Sequence, residues 1–383
     1  MLELQGMTIP EAEEPIRCLE GLVTDDGWRV GTLVQKKSYQ TGSFFSVGYL
    51  VQHQDGRQGF LKALDFRMAL SAADPIRMLE HLTGAYNFER DVLALCRGAS
   101  MSKIVTAITD GSFAVPDAPL GRIFYLIFEL ADGDIRRQAF LNARLDAFWS
   151  TRAIHNIAVG LQQLHSRGVY HQDLKPSNVL VFGTRSISKL ADLGRAHCLS
   201  IQSPHDHETL PGVVYYAPPE QLYAHRELGK DDLRGAGDLY LLGSMLFFLF
   251  TGGMLTPFVL KQLRHEHRPP RLAEDDGGWQ GYFVDVLPYL REGYSKASDL
   301  LAGELEGAFR YTGAPQVADE LLTAFQQLSE PDPLLRGHPT ERRLAHSNKY
   351  NLSRYVSVFD RVARMCEYGL RRADAEAASR RTA

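Results

Sequence analysis

The chain has 383 residues, a formal net charge of −4, 44% hydrophobic residues and 23% charged residues. That length accommodates one large two-lobed domain or two ordinary ones. The composition is that of a globular protein, and the mildly acidic balance argues against nucleic acid as a main partner.

Residues 1–27 form an acidic, helix-prone extension without a signal-peptide pattern. Trp28 to Leu64 is strand-like, with a turn at Asp55-Gly56 and a lysine, Lys62, inside the apolar run Phe60-Leu61-Lys62-Ala63-Leu64. A lysine in such a run is ordinarily a snorkelling surface group. Residues 66–98 read as helix, broken near Asp74-Pro75. Phe88, Val92, Leu93, Leu95 and Cys96 supply its apolar face. Glu89 is placed to reach inward unless it is simply a solvated helix glutamate, and Asp91 is its weaker rival. Strands are expected from Ile104 to Val115 and from Ile123 to Leu130. An amphipathic helix over 139–167 then delivers the chain to His171.

His171 to Leu180, HQDLKPSNVL, brings a carboxylate (Asp173), an ammonium (Lys175) and an amide (Asn178) onto one short polar loop. Phosphoryl transfer uses these parts: an acceptor for a hydroxyl proton, a cation for the moving phosphoryl and an oxygen ligand for Mg²⁺. Asp192-Leu193-Gly194 follows a short apolar hairpin; alone it is an ordinary turn. Between Asp192 and Glu220, Ser200, Ser203 and Thr209 are candidate phosphorylation sites. His205 and His207 around Asp206 read as a solvated polar loop.

Leu239 to Leu260 carries no charge, but Gly252, Gly253 and Pro257 interrupt it. A helix from Asp238 to Thr251 would be about 20 Å long at about 1.5 Å per residue. That is short for a bilayer core of about 30 Å, so a buried core helix is expected and no membrane. Residues 259–310 contain Trp279, Tyr282, Phe283 and Tyr289 among charges and predict added helices. Residues 351–373 form an amphipathic helix that docks on the body or binds a partner, and the polar tail follows. The four cysteines, Cys18, Cys96, Cys198 and Cys366, lack metal-ligand spacing and read as thiols of a reducing compartment, so the expected location is cytoplasmic.

The loop around Asp173 resembles the catalytic loop of the eukaryotic-like (Hanks-type) serine/threonine protein kinase family. Lys175, two places after the aspartate, resembles the serine/threonine branch. Asp192-Leu193-Gly194 resembles the family's Asp-Phe-Gly. Lys62 resembles the strand lysine that holds the α- and β-phosphates, with Glu89 as its helix partner. Tyr216-Ala217-Pro218-Pro219-Glu220 resembles the end of an activation segment. Asp238-Leu239-Tyr240-Leu241-Leu242-Gly243 resembles the start of the central helix of the large lobe, whose aspartate bonds the catalytic-loop backbone. Pro333-Leu334-Leu335-Arg336 resembles the late arginine that pairs with that glutamate, which predicts a buried Glu220–Arg336 ion pair.

The resemblance covers about residues 28–345. It implies an α+β, bilobal fold with a small β-rich lobe over 28–130 and a larger helical lobe over 131–345. An insertion at about 259–310 and a C-terminal helix and tail over 346–383 are added to that plan. It implies an ATP- and Mg-dependent kinase acting on protein hydroxyls. Asp173, Lys175, Lys62 and Glu89 would be catalytic, and Asn178 and Asp192 would hold the metal. Gly42, Val47, Lys62, Glu129, Ala131, Asp134 and Leu180 would bind the nucleotide. Phe128-Glu129-Leu130-Ala131 would be the hinge whose backbone bonds adenine, with Phe128 the bulky gate behind the base, and Asp134 would serve either the ribose hydroxyls or a helix N-terminus.

The chain departs from the family at four places. Of three phosphate-loop glycines only Gly42 remains, in Gln40-Thr41-Gly42-Ser43-Phe44-Phe45-Ser46-Val47, which weakens or reshapes close backbone approach to phosphates. Phe60 replaces a small residue facing adenine and either crowds the base or stacks on it. Gln172 replaces the arginine that pairs with a phosphorylated activation loop. Val213 replaces a threonine that bonds the catalytic aspartate and lysine. The altered phosphate loop, Phe60 and Val213 support a pseudokinase, a nucleotide-binding scaffold without transfer activity, as an alternative, and a kinase-fold nucleotidyl transferase is a further one. The activation-segment motif argues against a small-molecule kinase.

Overall fold

The computed structural model describes residues 14–34, 46–141, 146–183, 187–208, 210–225, 229–270, 278–310, 316–344 and 348–382. Contacts divide the chain into two compact units, Met1–Arg90 with Thr106–Leu130, and Asp91–Val105 with Ala131–Ala383.

The first unit is built on a five-stranded antiparallel sheet of β1 (Trp28–Val34), β2 (Ser46–His53), β3 (Gln58–Leu64), β4 (Ala107–Ala114) and β5 (Arg122–Glu129), ordered β1-β2-β3-β5-β4. Period-two alternation decides which residues share a face. Val30, Tyr49, Val51, Leu61, Ala63, Tyr125 and Ile127 enter one core, together with Ile16 and Leu19 ahead of Trp28. Tyr49 helps fix that leading segment by donating its hydroxyl to the Ile16 carbonyl at 2.7 Å. The opposite face carries Phe60, Lys62 and Leu64. There α1 (Arg67–Leu70) and α2 (Pro75–Gly98) pack Ala69, Leu82, Met78 and Leu79 beside Leu64 and Phe124. The break expected near Asp74-Pro75 separates the two helices: proline fits the first helical position, and the Asp74 carboxylate accepts the Arg77 N–H at 3.1 Å.

The second unit is mostly helical. It opens with the short strand β6 (Gly133–Asp134) and α3 (Ile135–Leu141), followed by α4 (Ala147–His165), β7 (Val169–Tyr170), β8 (Val179–Phe182), β9 (Ile187–Leu190) and β10 (His197–Cys198). The strands pair as β6-β8-β9 and β10-β7. Next come α5 (Pro219–Leu222), α6 (Lys230–Thr251), α7 (Leu255–Gln262), α8 (Phe283–Phe309), α9 (Gln316–Leu328), α10 (Pro339–Arg343) and α11 (Ser353–Thr382).

Two expectations need correction. The helix expected over 139–167 starts at Ala147, because Asp146 caps it by accepting the Trp149 N–H at 3.0 Å. The core helix expected from Asp238 starts at Lys230, so its 22 residues reach about 33 Å and length no longer separates it from a membrane span. Burial does: 83% of its most apolar window is inside the unit, with Leu239, Tyr240, Leu242, Leu246 and Phe247 fully covered. Residues 283–309 of the expected insertion form one 27-residue helix that carries Pro288 past its first turn, where the missing N–H costs one hydrogen bond to the preceding turn. The C-terminal helix α11 lies on α4 and α9: Gln162 donates to Ser353 Oγ at 2.8 Å, and Tyr355 donates its hydroxyl to Gln327 at 3.1 Å.

Candidate active site

In the first unit, Lys62 stands on β3, opposite Gly48 of β2 and Leu126 of β5. Its Nζ donates to both carboxylate oxygens of Glu89 on α2, at 2.8 and 2.9 Å. The pair is largely buried, with side-chain exposures of 15% and 7%, so water screens it little. Glu89 is therefore an ion-pair partner rather than a solvated helix residue, and Lys62 is not a snorkelling group.

Register overturns one nucleotide-binding assignment. Val47 pairs with Ala63 and packs against the core, on the face away from Lys62. Directly opposed residues of an antiparallel pair share a face, so the β2 residue on the Lys62 face is Gly48. Gly42 and Phe44 lie outside the described residues. Glu129 closes β5: its N–H donates to the Thr106 carbonyl at 3.1 Å, and its carboxylate accepts the Thr106 N–H at 2.7 Å. The hinge assignment of Glu129 thus concerns its backbone, since its side chain is engaged.

In the second unit, Asp173, Lys175 and Asn178 converge. Lys175 Nζ donates to Asp173 Oδ2 at 2.5 Å, and Asn178 Nδ2 donates to the Asp173 carbonyl at 2.9 Å and to Oδ2 at 3.2 Å. All three are about 5–6% exposed. The other carboxylate oxygen, Oδ1, accepts the backbone N–H of Val213 at 3.2 Å. A valine side chain cannot bond Asp173, but its main chain does, a contact invisible to a reading of side chains. Gly212 beside it is required by space: a Cβ there would lie 2.7 Å from the Gln172 carbonyl oxygen.

The loop hangs from α6. Asp238, fully buried, accepts the N–H of His171 at 2.8 Å and of Gln172 at 2.9 Å, while His165 Nε2 bonds its Oδ2 at 2.7 Å. Burial opposes charge on Asp238, but the His165 and Gln172 contacts outweigh it and hold the carboxyl below its ordinary range. Gln172 adopts a left-handed φ of 62°, held by its side-chain amide donating to the Arg234 carbonyl at 3.0 Å and to Asp238 at 3.2 Å. Glutamine thus replaces a phosphate-reading arginine with a fixed tie to α6.

Asp192 also sits in the left-handed region, φ 61° and ψ 70°, where aspartate is tolerated better than most residues. The N–H of Ala191 before it donates to the Asn178 carbonyl at 2.9 Å, which joins its segment to the loop. Asn178 turns its amide nitrogen to Asp173, so its amide oxygen and the Asp192 carboxylate are the hard donors that fit a Mg²⁺ ion. Among the remaining assignments, Ala131 precedes Asp132, whose N–H donates to the Val181 carbonyl at 2.9 Å. Leu180 faces away from its buried neighbours Val179 and Val181. Asp134 caps α3, accepting the Arg137 N–H at 2.7 Å, the second of its two expected roles.

The segment from Asp192 to Glu220 is more ordered than a solvated loop. His197 Nδ1 meets Asp206 Oδ1 at 2.6 Å, Arg234 reaches the same carboxylate at 3.5 Å, and the Ser203 N–H donates to it at 3.1 Å. Arg195 Nη1 donates to both Glu208 oxygens at 2.9 Å, and His205, only 6% exposed, bonds Glu208 at 2.7 Å. These ion pairs were missed because their partners are up to 28 residues apart in the chain. Thr209 lies outside the described residues. The segment ends at Glu220, which forms the predicted pair with Arg336: Nη1–Oε1 at 2.6 Å and Nη2–Oε2 at 2.8 Å, both residues fully buried.

Comparison with known proteins agrees with this arrangement. The protein kinase domain model matches residues 42–270, well over half of the chain. The probable serine/threonine-protein kinase PknB of Lactococcus lactis is 29% identical over 223 residues, 56% of this chain and 33% of that protein. The serine/threonine-protein kinase Pkn1 of Myxococcus xanthus is 32% identical over 155 residues, 38% and 21% of the two chains. Cell division control protein 2 homolog 3 of Trypanosoma brucei is 33% identical over 181 residues, 45% and 54%. The match thus spans from about a fifth to about half of these relatives' length. With the Lys62–Glu89 pair, the Asp238-anchored loop and the Glu220–Arg336 clamp in the same chain, the protein belongs to the protein kinase domain family.

Proposed function

We propose that the chain is an ATP- and Mg-dependent serine/threonine protein kinase that transfers the γ-phosphoryl group to protein hydroxyls. The carrying observation is the Asp173 carboxylate. One of its oxygens accepts a backbone N–H while the other accepts from Lys175 and Asn178, all on a loop fixed by Asp238. Held in this way, Asp173 orients and takes the proton of a substrate hydroxyl. Lys175 neutralises charge on the moving phosphoryl, and Lys62, oriented by Glu89, positions the α- and β-phosphates. Asn178 and Asp192 are the residues that would hold Mg²⁺, which when bound neutralises the phosphate oxygens. Pro219-Glu220 with Arg336 supports a platform for a protein substrate. Four cysteines without a disulfide support a reducing, cytoplasmic setting.

Asp173→Asn, which keeps the shape and a polar partner for Lys175, is expected to lower kcat by orders of magnitude while the protein still folds and melts cooperatively. Equal turnover in the two proteins would overturn the assignment. A nucleotide-binding scaffold is the second reading, favoured by Phe60 on the Lys62 face of β3. It predicts stabilisation by Mg-ATP with no transfer to any hydroxyl.

A further inference from the structure

Phe60 lies two residues before Lys62 on the same face of β3, opposite Leu50 of β2 and Phe128 of β5. Its ring leans along the sheet toward Gly48. A Cβ added at Gly48 would meet Phe60 Cζ at 2.6 Å and Cε2 at 2.7 Å, nearer than real side chains approach. The tip of the ring therefore occupies the place of a side chain at position 48. Gly48 has no left-handed φ that would call for glycine; the requirement is space. A large residue on one strand is matched by none on the next, so bulk on this face is kept while its chemistry becomes aromatic. The ring is only partly buried, as are Gly48 and Lys62.

Resting on the nucleotide-dependent reading above, we propose that Phe60, seated on Gly48, is the platform on which the nucleotide base stacks, and so a residue of this chain that sets nucleotide affinity. An aromatic face beside the phosphate-binding lysine offers stacking that an aliphatic surface lacks. Stacking is worth a measurable part of affinity and accepts any base with a π-face. The alternative, that the ring crowds the base, requires it to stand up from the sheet. The contact at Gly48, on the neighbouring strand, shows it lying across the sheet instead.

The test uses the full chain and two probes, Mg-ATP and Mg-tripolyphosphate, with affinity measured by calorimetry for wild type, Phe60→Ala, Phe60→Leu and Phe60→Trp. Wild type is expected to bind ATP more tightly than tripolyphosphate. Phe60→Ala should lose roughly tenfold in ATP affinity with tripolyphosphate unchanged, and Phe60→Trp should keep wild-type ATP affinity. Phe60→Leu, which keeps bulk without a π-face, should fall with the alanine variant and serves if that variant fails to fold. ATP bound as tightly or more tightly by both Ala and Leu variants would overturn the stacking role and leave the kinase reading standing. Wild type binding neither probe would overturn both.

Discussion

Arg336 has no exposed surface, yet it carries a charge into the interior of the second unit. Its guanidinium meets Glu220 through two parallel bonds and donates further to the carbonyls of Glu330, Ala236 and Pro331. Bidentate geometry with further acceptors is what makes a buried ion tolerable. Arg336→Ala would leave Glu220 charged and unpaired, and is expected to lower unfolding free energy by about 3–5 kcal/mol, read by urea denaturation. A loss below about 1 kcal/mol would contradict that account. His171 is the opposite case: fully buried, with neither ring nitrogen hydrogen-bonded among the described residues. An unpartnered polar ring lowers stability, so His171→Phe is expected to hold or raise the unfolding temperature. A clear fall would show that the imidazole has an unrecognised role.

At this scale the loop from His171 to Asn178 could be read in advance because its functional groups are contiguous and their types are chemically restrictive. Val47 was misassigned because a shift of one residue along a strand exchanges the two faces, and the poor glycine content upstream left the alignment loose by that much. The Val213 contact was missed because every residue but proline has an N–H, so its identity says nothing of where that N–H points.

Among the elements, the segment from Asp192 to Glu220 shows how internal charges can hold a loop. Asp206 joins His197, the Ser203 N–H and the Arg234 guanidinium, and the Arg234 backbone carbonyl in turn accepts from the side-chain amide of Gln172 beside Asp173. Burial raises the proton affinity of Asp206, but the His197 bond and the Ser203 N–H outweigh it and hold the carboxyl below its usual value of 3.8. A carboxyl lowered on folding stabilises the folded state above its unfolded pKa, and that contribution disappears as pH falls through the lower, folded value. The part of the stability difference between wild type and Asp206→Asn that comes from this carboxylate should therefore shrink as pH falls below about 4. A difference that grows on acidification would contradict the sign. Transfer activity of Asp206→Asn should fall severalfold with the fold retained, because the tie from the segment to α6 is cut. The strands and helices were legible from periodicity, whereas the start of α6 was not. Lys230 to Gly237 is polar and glycine-bearing, and becomes helical by continuing the buried turn around Asp238.

For the whole molecule, the C-terminal helix is part of the second unit's core. Tyr355, Phe359, Val362, Ala363 and Cys366 are buried against it, and Arg152 of α4 reaches Glu367 at 3.3 Å and Asp360 at 3.7 Å. Removing residues 353–383 would uncover a row of side chains each worth about 1.5–3 kcal/mol when large and apolar. The truncated chain is expected to be insoluble or to unfold well below wild type, and soluble yield with a thermal melt decides it. The fold class was legible because widely spaced motifs keep their order along the chain. The docking of α11 on the body was an expected outcome, but the place, on α4 and α9, was not legible, since an amphipathic face gives no address for its partner.

The central claim is phosphotransfer by a fully assembled catalytic loop. The most direct measurement incubates wild type and Asp192→Asn with Mg-ATP labelled either at the γ- or at the α-phosphate, plus a generic basic protein substrate. Label from the γ-position on hydroxyls of the substrate or of the chain itself, absent in the variant, is the predicted result. Label from the α-position, or equal γ-label in wild type and variant, would contradict it.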